Sequence, residues 1–178
     1  MKRKEVKKGF TLIEMMVVVS IFLILSATLI SILILSLRAQ RRASNLNRIV
    51  DTSSYVLEYM SRALRMAKKD IGGTCITQDK NFEVGTNNIK FLNYNDQCQT
   101  FFLENGQLKE QIGRDSFPLT SDEFEISQIE HYPLFQVEGD EKGHQPLVTI
   151  RFQIQKRGEP ETRIQFQTSV SQRNLNVD

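Results

Sequence analysis

The sequence predicts an α+β fold in which a long N-terminal helix precedes an antiparallel β-sheet. Two observations lead to this class. Residues 9–37 are almost entirely apolar and lead into a stretch with helical spacing, and after residue 73 the apolar residues recur at every second position instead. The chain has 178 residues, a length that suits one domain with an appendage.

The apolar segment at residues 9–37 holds one charged residue, Glu14. A run of this length is long enough to cross a membrane as a helix. A secretory signal peptide is the competing interpretation, but the run is about twice as long as a usual signal core and no small-residue cleavage site follows it. Arg38, Arg41 and Arg42 follow instead. Because basic residues flank both ends, the positive-inside rule gives no orientation.

Glu14 is the one charged residue of the apolar segment, and its presence there needs a physical reason. A carboxylate within hydrocarbon costs a few kcal/mol and usually has a partner. One interpretation places Glu14 near the interface, where it reaches water beside Lys7 and Lys8. The residues around it suggest another.

Those residues resemble the prepilin signature of type IV pilins and of the pseudopilins of type II secretion systems. The resemblance covers KKGFTLIEMMVV at residues 7–18 and the apolar helix that continues from it. It implies that a membrane-embedded prepilin peptidase cuts between Gly9 and Phe10 on the cytoplasmic face, and that Phe10 is then N-methylated. Glycine suits this position because a residue without Cβ lets a protease approach the backbone closely. Glu14 would then neutralise the new Phe10 amine of an adjacent subunit within a filament core.

With this resemblance, the patterns divide the chain into four parts. A prepilin leader occupies residues 1–9, a transmembrane and filament-core helix residues 10–37, an amphipathic continuation of the helix residues 38–69, and an exported antiparallel β domain residues 70–178. The fold is therefore expected to be pilin-like.

An apolar stripe supports the amphipathic part of the helix. Because it lasts only about three heptads, we expect it to pack on the globular domain rather than to form a coiled coil. Gly72 and Gly73 are predicted to end the helix, with Lys68 and Lys69 in its last turn. The stripe consists of Leu46, Ile49, Val50, Ser53, Val56, Leu57, Met60, Leu64 and Ala67.

Six runs alternate apolar with polar residues and predict antiparallel strands with one buried face, in a sheet that wraps the outer half of the helix. Asn105-Gly106 predicts a two-residue hairpin turn, residues 157–160 a second turn, and residues 137–146 a longer polar loop. The strands are predicted at residues 89–94, 99–104, 107–112, 124–129, 148–154 and 164–170.

Three segments of the C-terminal half are similar to the larger minor pseudopilins rather than to major pilins. They are residues 118–121, 145–150 and 167–175. This resemblance narrows the expected class to a minor subunit.

Cys75 and Cys98 are the only cysteines, and both fall in the predicted exported domain. A disulfide between them is one interpretation, and two buried thiols in a small core are the other.

No metal site is predicted. The two histidines, His131 and His144, do not combine with the cysteines at zinc-ligand spacing. The loop that contains Glu138, Asp140 and Glu141 carries the oxygen ligands that calcium takes in some pseudopilins. It lacks the alternating register of an EF-hand loop, so we expect a solvated loop.

Enzymatic activity and nucleic-acid binding are both disfavoured. The chain has no nucleophile elbow, no phosphate-binding glycine loop and no Cys/His nucleophile pair, and we expect no cofactor. Residues 70–178 carry a net charge of −7, so the folded part repels phosphate. The chain is expected to be a substrate of an enzyme rather than an enzyme.

The predicted function is a minor pseudopilin or pilin subunit, assembled into a type II secretion pseudopilus in a priming or tip role for protein export. Its expected partners are prepilin peptidase, other pilins through their N-terminal helices, and the inner-membrane assembly machinery. We expect a single-pass protein of the cytoplasmic membrane whose C-terminal domain is exported and later joins an extracytoplasmic filament. The alternatives are a minor subunit of a type IV or competence pilus, and an anchored binding module that does not polymerise.

Overall fold

The computed structural model describes residues 9–139 and 145–173. The chain falls into two compact units, Met1–Ser44 and Asn45–Asp178. One long helix, α1 (Leu12–Arg65), contributes to both units, and antiparallel strands follow it. The predicted α+β class, with a long N-terminal helix ahead of the strands, is confirmed.

The second unit, Asn45–Asp178, is called the globular unit below. The second half of α1 is amphipathic, and its apolar stripe is buried in this unit. The buried residues of this stripe recur at three- and four-residue steps, and all but Ser53 belong to the hydrophobic core. They are Ile49, Ser53, Val56, Met60 and Leu64. The expectation that this stripe packs on the globular domain is therefore confirmed.

The helix ends at Arg65, before the predicted last turn at Lys68 and Lys69. The reason is competition from strand pairing: the backbone N–H of Lys68 donates to the carbonyl of Leu92 at 2.9 Å, in an isolated antiparallel bridge. A second bridge joins Asp70 to Lys80. The helix is thus stopped by long-range partners and not by the two glycines.

The residues that follow the last strand, Gln172 and Arg173, close on the end of α1. Gln172, which is buried, donates from Nε2 to the carbonyl of Ala67 at 2.8 Å, and the backbone N–H of Arg173 donates to the carbonyl of Arg65 at 2.8 Å. These bonds satisfy carbonyl groups that have no partner within the last turn of a helix.

The first sheet is a five-stranded antiparallel meander in chain order. Asn105 and Gly106 form the turn between its third and fourth strands with φ of 53° and 75°, which is the backbone that a two-residue hairpin of this type requires. The strands are β1 (Phe82–Val84), β2 (Asn88–Leu92), β3 (Cys98–Glu104), β4 (Gln107–Ile112) and β5 (Asp115–Pro118).

The second sheet is built around a long hairpin of β8 and β9. β9 pairs with one edge of β8. On the other edge of β8, β7 lies opposite Leu147–Ile150 and β6 lies opposite Gln153–Lys156. The backbone N–H of Ile126 donates to the carbonyl of Gly106 at 2.8 Å and so links the two sheets. The strands are β6 (Phe124–Ser127), β7 (Phe135–Glu138), β8 (Leu147–Lys156) and β9 (Glu159–Ser171).

The described residues form nine strands in two sheets rather than about six in one. The three strands that were not predicted, β1, β5 and β7, are three or four residues long, and in none of them do buried and exposed residues alternate, so they show no period of two. Val137 and Glu138 belong to β7 and not to the predicted loop, because they pair with Val148 and Leu147. Glu159 likewise begins β9, so the turn predicted at residues 157–160 is shorter than expected.

One hydrophobic core joins the helix to both sheets within the globular unit. Its largest members are phenylalanines that are fully buried. These are Phe91 and Phe101 from the first sheet, and Phe135 and Phe152 from the second.

Candidate functional site

The peptide bond between Gly9 and Phe10 lies just before α1, in a segment that is exposed and not helical. A Cβ atom added to Gly9 would meet nothing within 4 Å, and Gly9 is not among the glycines with positive φ. The fold of the chain therefore does not require glycine at this position. Phe10 is 78% exposed, so the described residues do not cover this bond.

Thr11 forms the N-terminal cap of α1. Its Oγ1 accepts a hydrogen bond from the backbone N–H of Glu14 at 3.3 Å, and its carbonyl accepts from the N–H of Met15 at 3.3 Å. Threonine followed three residues later by glutamate is the capping-box pattern. Thr11 was not among the predicted site residues, although the capping-box pattern is visible in the sequence.

Glu14 lies in the first turn of α1, where the helix dipole favours a negative charge. Its side chain is exposed and, among the described residues, it is in none of the ion pairs. Phe10 and Glu14 are four residues apart, so the structure brings the predicted cleavage and assembly residues into one short segment. The pairing of Glu14 with an amine of a neighbouring subunit stays a prediction.

The apolar segment presents hydrophobic side chains all round. From Gly9 to Ser44 every residue except Ser26 is exposed. The hydroxyl groups of Ser20, Thr28 and Ser31 donate to carbonyls of the preceding turn at 2.8–2.9 Å, which satisfies these donors without water. By length and composition, α1 is the one helix in the described part of the chain that is able to cross a membrane.

Cys75 and Cys98 are joined by a disulfide in the globular unit, with their Cα atoms 5.3 Å apart. The carboxylate of Asp70, itself buried, accepts the backbone N–H groups of Thr74, Cys75 and Ile76 at 3.1, 2.6 and 2.9 Å. These bonds, that from Ile76 foremost, lower the pKa of Asp70 to about 2. Asp70 therefore fixes the loop that carries one cysteine, a role that the sequence did not reveal.

No group of three or more candidate metal ligands exists within residues 9–139 and 145–173. Glu138 lies in β7, where its Oε1 accepts from Nε2 of Gln136 at 2.7 Å. Of the other candidates, His131 is exposed in a turn, while Asp140, Glu141 and His144 lie outside the described residues.

Comparison with known proteins concerns the N-terminal segment. Residues 6–30 match the family model of the prokaryotic N-terminal methylation motif, which marks prepilin-type proteins of the type IV pilin and pseudopilin family. The match includes Gly9, Phe10 and Glu14. No curated protein and no solved structure matches the chain.

Proposed function

We propose that this chain, which carries a prepilin-type N-terminus, is the precursor of a filament subunit, and more narrowly a minor pseudopilin of a type II secretion system that primes or caps the pseudopilus during protein export. The methylation motif at residues 6–30 carries the proposal of a pilin-like subunit. The narrower class rests on the similarity of residues 118–121, 145–150 and 167–175 to the larger minor pseudopilins.

Processing by prepilin peptidase would divide the chain between Gly9 and Phe10. The exposed, non-helical backbone at this bond supports the proposal, because a peptidase must bind its substrate in an accessible conformation. So does the open space around Gly9. Since the chain's own fold tolerates a side chain there, a requirement for glycine points to an external partner that approaches the backbone closely.

Assembly would use the apolar surface that the described structure leaves uncovered. In the membrane, lipid covers residues 10–37, and in a filament the same surface packs against neighbouring helices. Cleavage creates a positive amine at Phe10. A neighbour's Glu14 then supplies the opposite charge that a buried amine requires.

The four parts take separate roles in this proposal. The leader at residues 1–9 is removed, residues 10–37 anchor the precursor and later form the filament core, residues 38–69 continue the helix, and residues 70–178 form the exported domain. Because the globular unit begins at Asn45, the last turns of the helix travel with the exported domain.

Mass spectrometry of the protein purified from its native membrane tests the processing step. We expect a mature chain that starts at N-methylated Phe10. Gly9→Val should accumulate as the uncut precursor, since a β-branched side chain blocks the approach to the backbone. Lys4→Val, which places the same side chain elsewhere in the leader, should be processed. A wild-type chain that still starts at Met1 in cells with active prepilin peptidase would refute the proposal.

A type IV or competence pilus subunit is the second candidate, because the same motif marks it. Deletion of the gene distinguishes a secretion pseudopilus from a type IV or competence pilus. Loss of protein export supports the pseudopilus, whereas loss of surface pili or DNA uptake with export intact assigns the chain to a pilus.

A further inference from the structure

Three arginines follow the apolar segment directly and share one face of α1. Arg41 and Arg42 lie three and four residues after Arg38, the spacing that places side chains on the same side of a helix. All three belong to the first compact unit and are exposed.

Within residues 9–139 and 145–173, these arginines lack the carboxylate partners that Arg48 and Arg62 of the same helix have. Arg48 pairs with Glu123 at 2.6 Å, and Arg62 pairs with Glu58 at 2.6 Å. None of the ion pairs in the described part of the chain involves Arg38, Arg41 or Arg42. The sequence gives a reason, because no aspartate or glutamate occurs between Glu14 and Asp51.

We propose that Arg38, Arg41 and Arg42 form a binding site for the phosphates of anionic phospholipid headgroups. At 1.5 Å per residue, residues 38–42 extend only about 8 Å beyond Leu37. The headgroup layer on each side of the hydrocarbon core is about 5–8 Å thick. Residues 10–37 are longer than the hydrocarbon core is thick, so the helix spans it with a tilt. When the tilt places Leu37 at the edge of the core, the three guanidinium groups lie at the depth of the lipid phosphates.

The chemistry of the side chains fits this occupant. A guanidinium group binds a phosphate through two parallel hydrogen bonds and is more weakly hydrated than an ammonium group. Three positive charges on one face, without an ion pair in the described part of the chain, attract lipids with net negative charge over zwitterionic lipids, by about fivefold for each charge near the membrane surface. The site rests on membrane anchoring in the proposed function, but it needs neither cleavage nor polymerisation.

The test uses the full-length precursor in nanodiscs made of equal amounts of phosphatidylglycerol and phosphatidylcholine. Native mass spectrometry counts the lipids that stay bound after the disc is removed. We expect the wild type to retain phosphatidylglycerol in preference to phosphatidylcholine. The triple variant Arg38→Gln/Arg41→Gln/Arg42→Gln should lose that preference. Replacing the same three residues with lysine should keep most of it, because the charges remain.

The matched control removes three arginines from the globular unit, as Arg62→Gln/Arg65→Gln/Arg114→Gln, and should behave like the wild type. Equal lipid retention by the wild type and the Arg38 triple variant would overturn the proposal. So would a triple variant that loses crosslinks to another protein while its lipid preference is unchanged. No peptidase is present in the nanodiscs, so lipid binding is measured on the uncut precursor. If the cleavage at Gly9 were not found in cells, the lipid-binding result would still stand.

Discussion

The hydroxyl of Tyr59, on α1, donates a hydrogen bond to the carboxylate of Glu110, on β4, at 2.8 Å from Oε1 and 2.9 Å from Oε2. Glu110 is buried, and its Oε1 also accepts from the side-chain amide of Gln99 on β3. Burial of Tyr59, and then its hydrogen bond to Glu110, raise its pKa to about 12. The helix and the first sheet are thus connected through a charged hydrogen bond as well as by apolar packing.

Tyr59→Phe should destabilise the globular unit by about 1.5 kcal/mol, because a hydrogen bond to a charged, buried acceptor is lost. In a chain of this length that corresponds to a fall in Tm of about 3–6 °C. Thermal unfolding of the full chain in detergent, followed by circular dichroism, gives the measurement. Tyr55→Phe is the control, since Tyr55 lies one turn earlier and is 66% exposed. Equal shifts in the two variants would mean that the bond contributes nothing.

Asp70→Asn should lower Tm at neutral pH, because the loop at residues 74–76 loses a charged acceptor. The pKa of Asp70 is lowered in the folded state, so its contribution is fully present above its unfolded pKa of about 4. That contribution disappears as the pH falls through about 2. The difference in Tm between wild type and variant should therefore shrink in acid.

Asp79→Asn is the matched control for Asp70, because the side chain of Asp79 is 61% exposed and its one ion pair among the described residues is with Lys69, at 3.4 Å. A pH-independent difference between wild type and Asp70→Asn would contradict the assigned role.

Ser53→Ala should leave stability unchanged or raise it by up to about 1 kcal/mol. The Oγ atom of Ser53 is buried in the helix–sheet core and has no hydrogen-bond partner among the described residues. Burial of an unsatisfied hydroxyl is unfavourable, and alanine is the better helix former. Urea unfolding compares this variant with Ser54→Ala, whose position is exposed. A marked loss of stability specific to Ser53→Ala would reveal a partner for the hydroxyl.

Glu14→Leu should give a processed, membrane-resident protein that no longer crosslinks to other pilins. The apolar helix is intact in this variant, but a neighbour's Phe10 amine would be left without its carboxylate, at a cost of about 3–5 kcal/mol. Glu14→Gln separates this role from helix capping, because glutamine also completes a capping box but carries no charge. We expect both variants to fail in assembly. Normal crosslinking by Glu14→Gln would show that only the cap matters, and in a lone anchor neither variant should have an effect.

Cys75 and Cys98 should resist thiol labelling in folded protein isolated from the native membrane, and should react after a reductant is added. The reason is the disulfide that joins them in the structure. Quantitative labelling of both residues before reduction would show that the exported protein carries free thiols.

Short sequence patterns predicted the turns and helical segments that are formed by interactions between residues close in sequence. Asn105-Gly106 required only its own backbone preference to specify the turn, and the apolar stripe that contains Ile49 and Met60 required only helical periodicity. The end of α1 was different. Met66 and Ala67, just before Lys68, are good helix formers, but the backbone of Lys68 pairs with Leu92, and no local pattern encodes a partner that distant.

The residues of the candidate site also differ in whether a local sequence pattern predicts them. Gly9, Phe10 and Glu14 were recognisable because their motif is contiguous in sequence, and Thr11 belongs to a four-residue pattern that was equally readable. Asp70 depends instead on a loop that folds back so that three N–H groups converge on one carboxylate. Sequence spacing alone does not predict such convergence.

The closure of Gln172 and Arg173 on the end of α1 determines when the globular unit is complete during synthesis. Gln172 and Ala67 are separated by 105 residues, and contacts of such separation form late because long loops must close first. Residues 45–65 leave the ribosome long before the residues that cover their last turn. The end of α1 is therefore sealed only after translation has reached Arg173, whereas the strands of the first sheet, which also pack on the apolar stripe, are synthesised earlier.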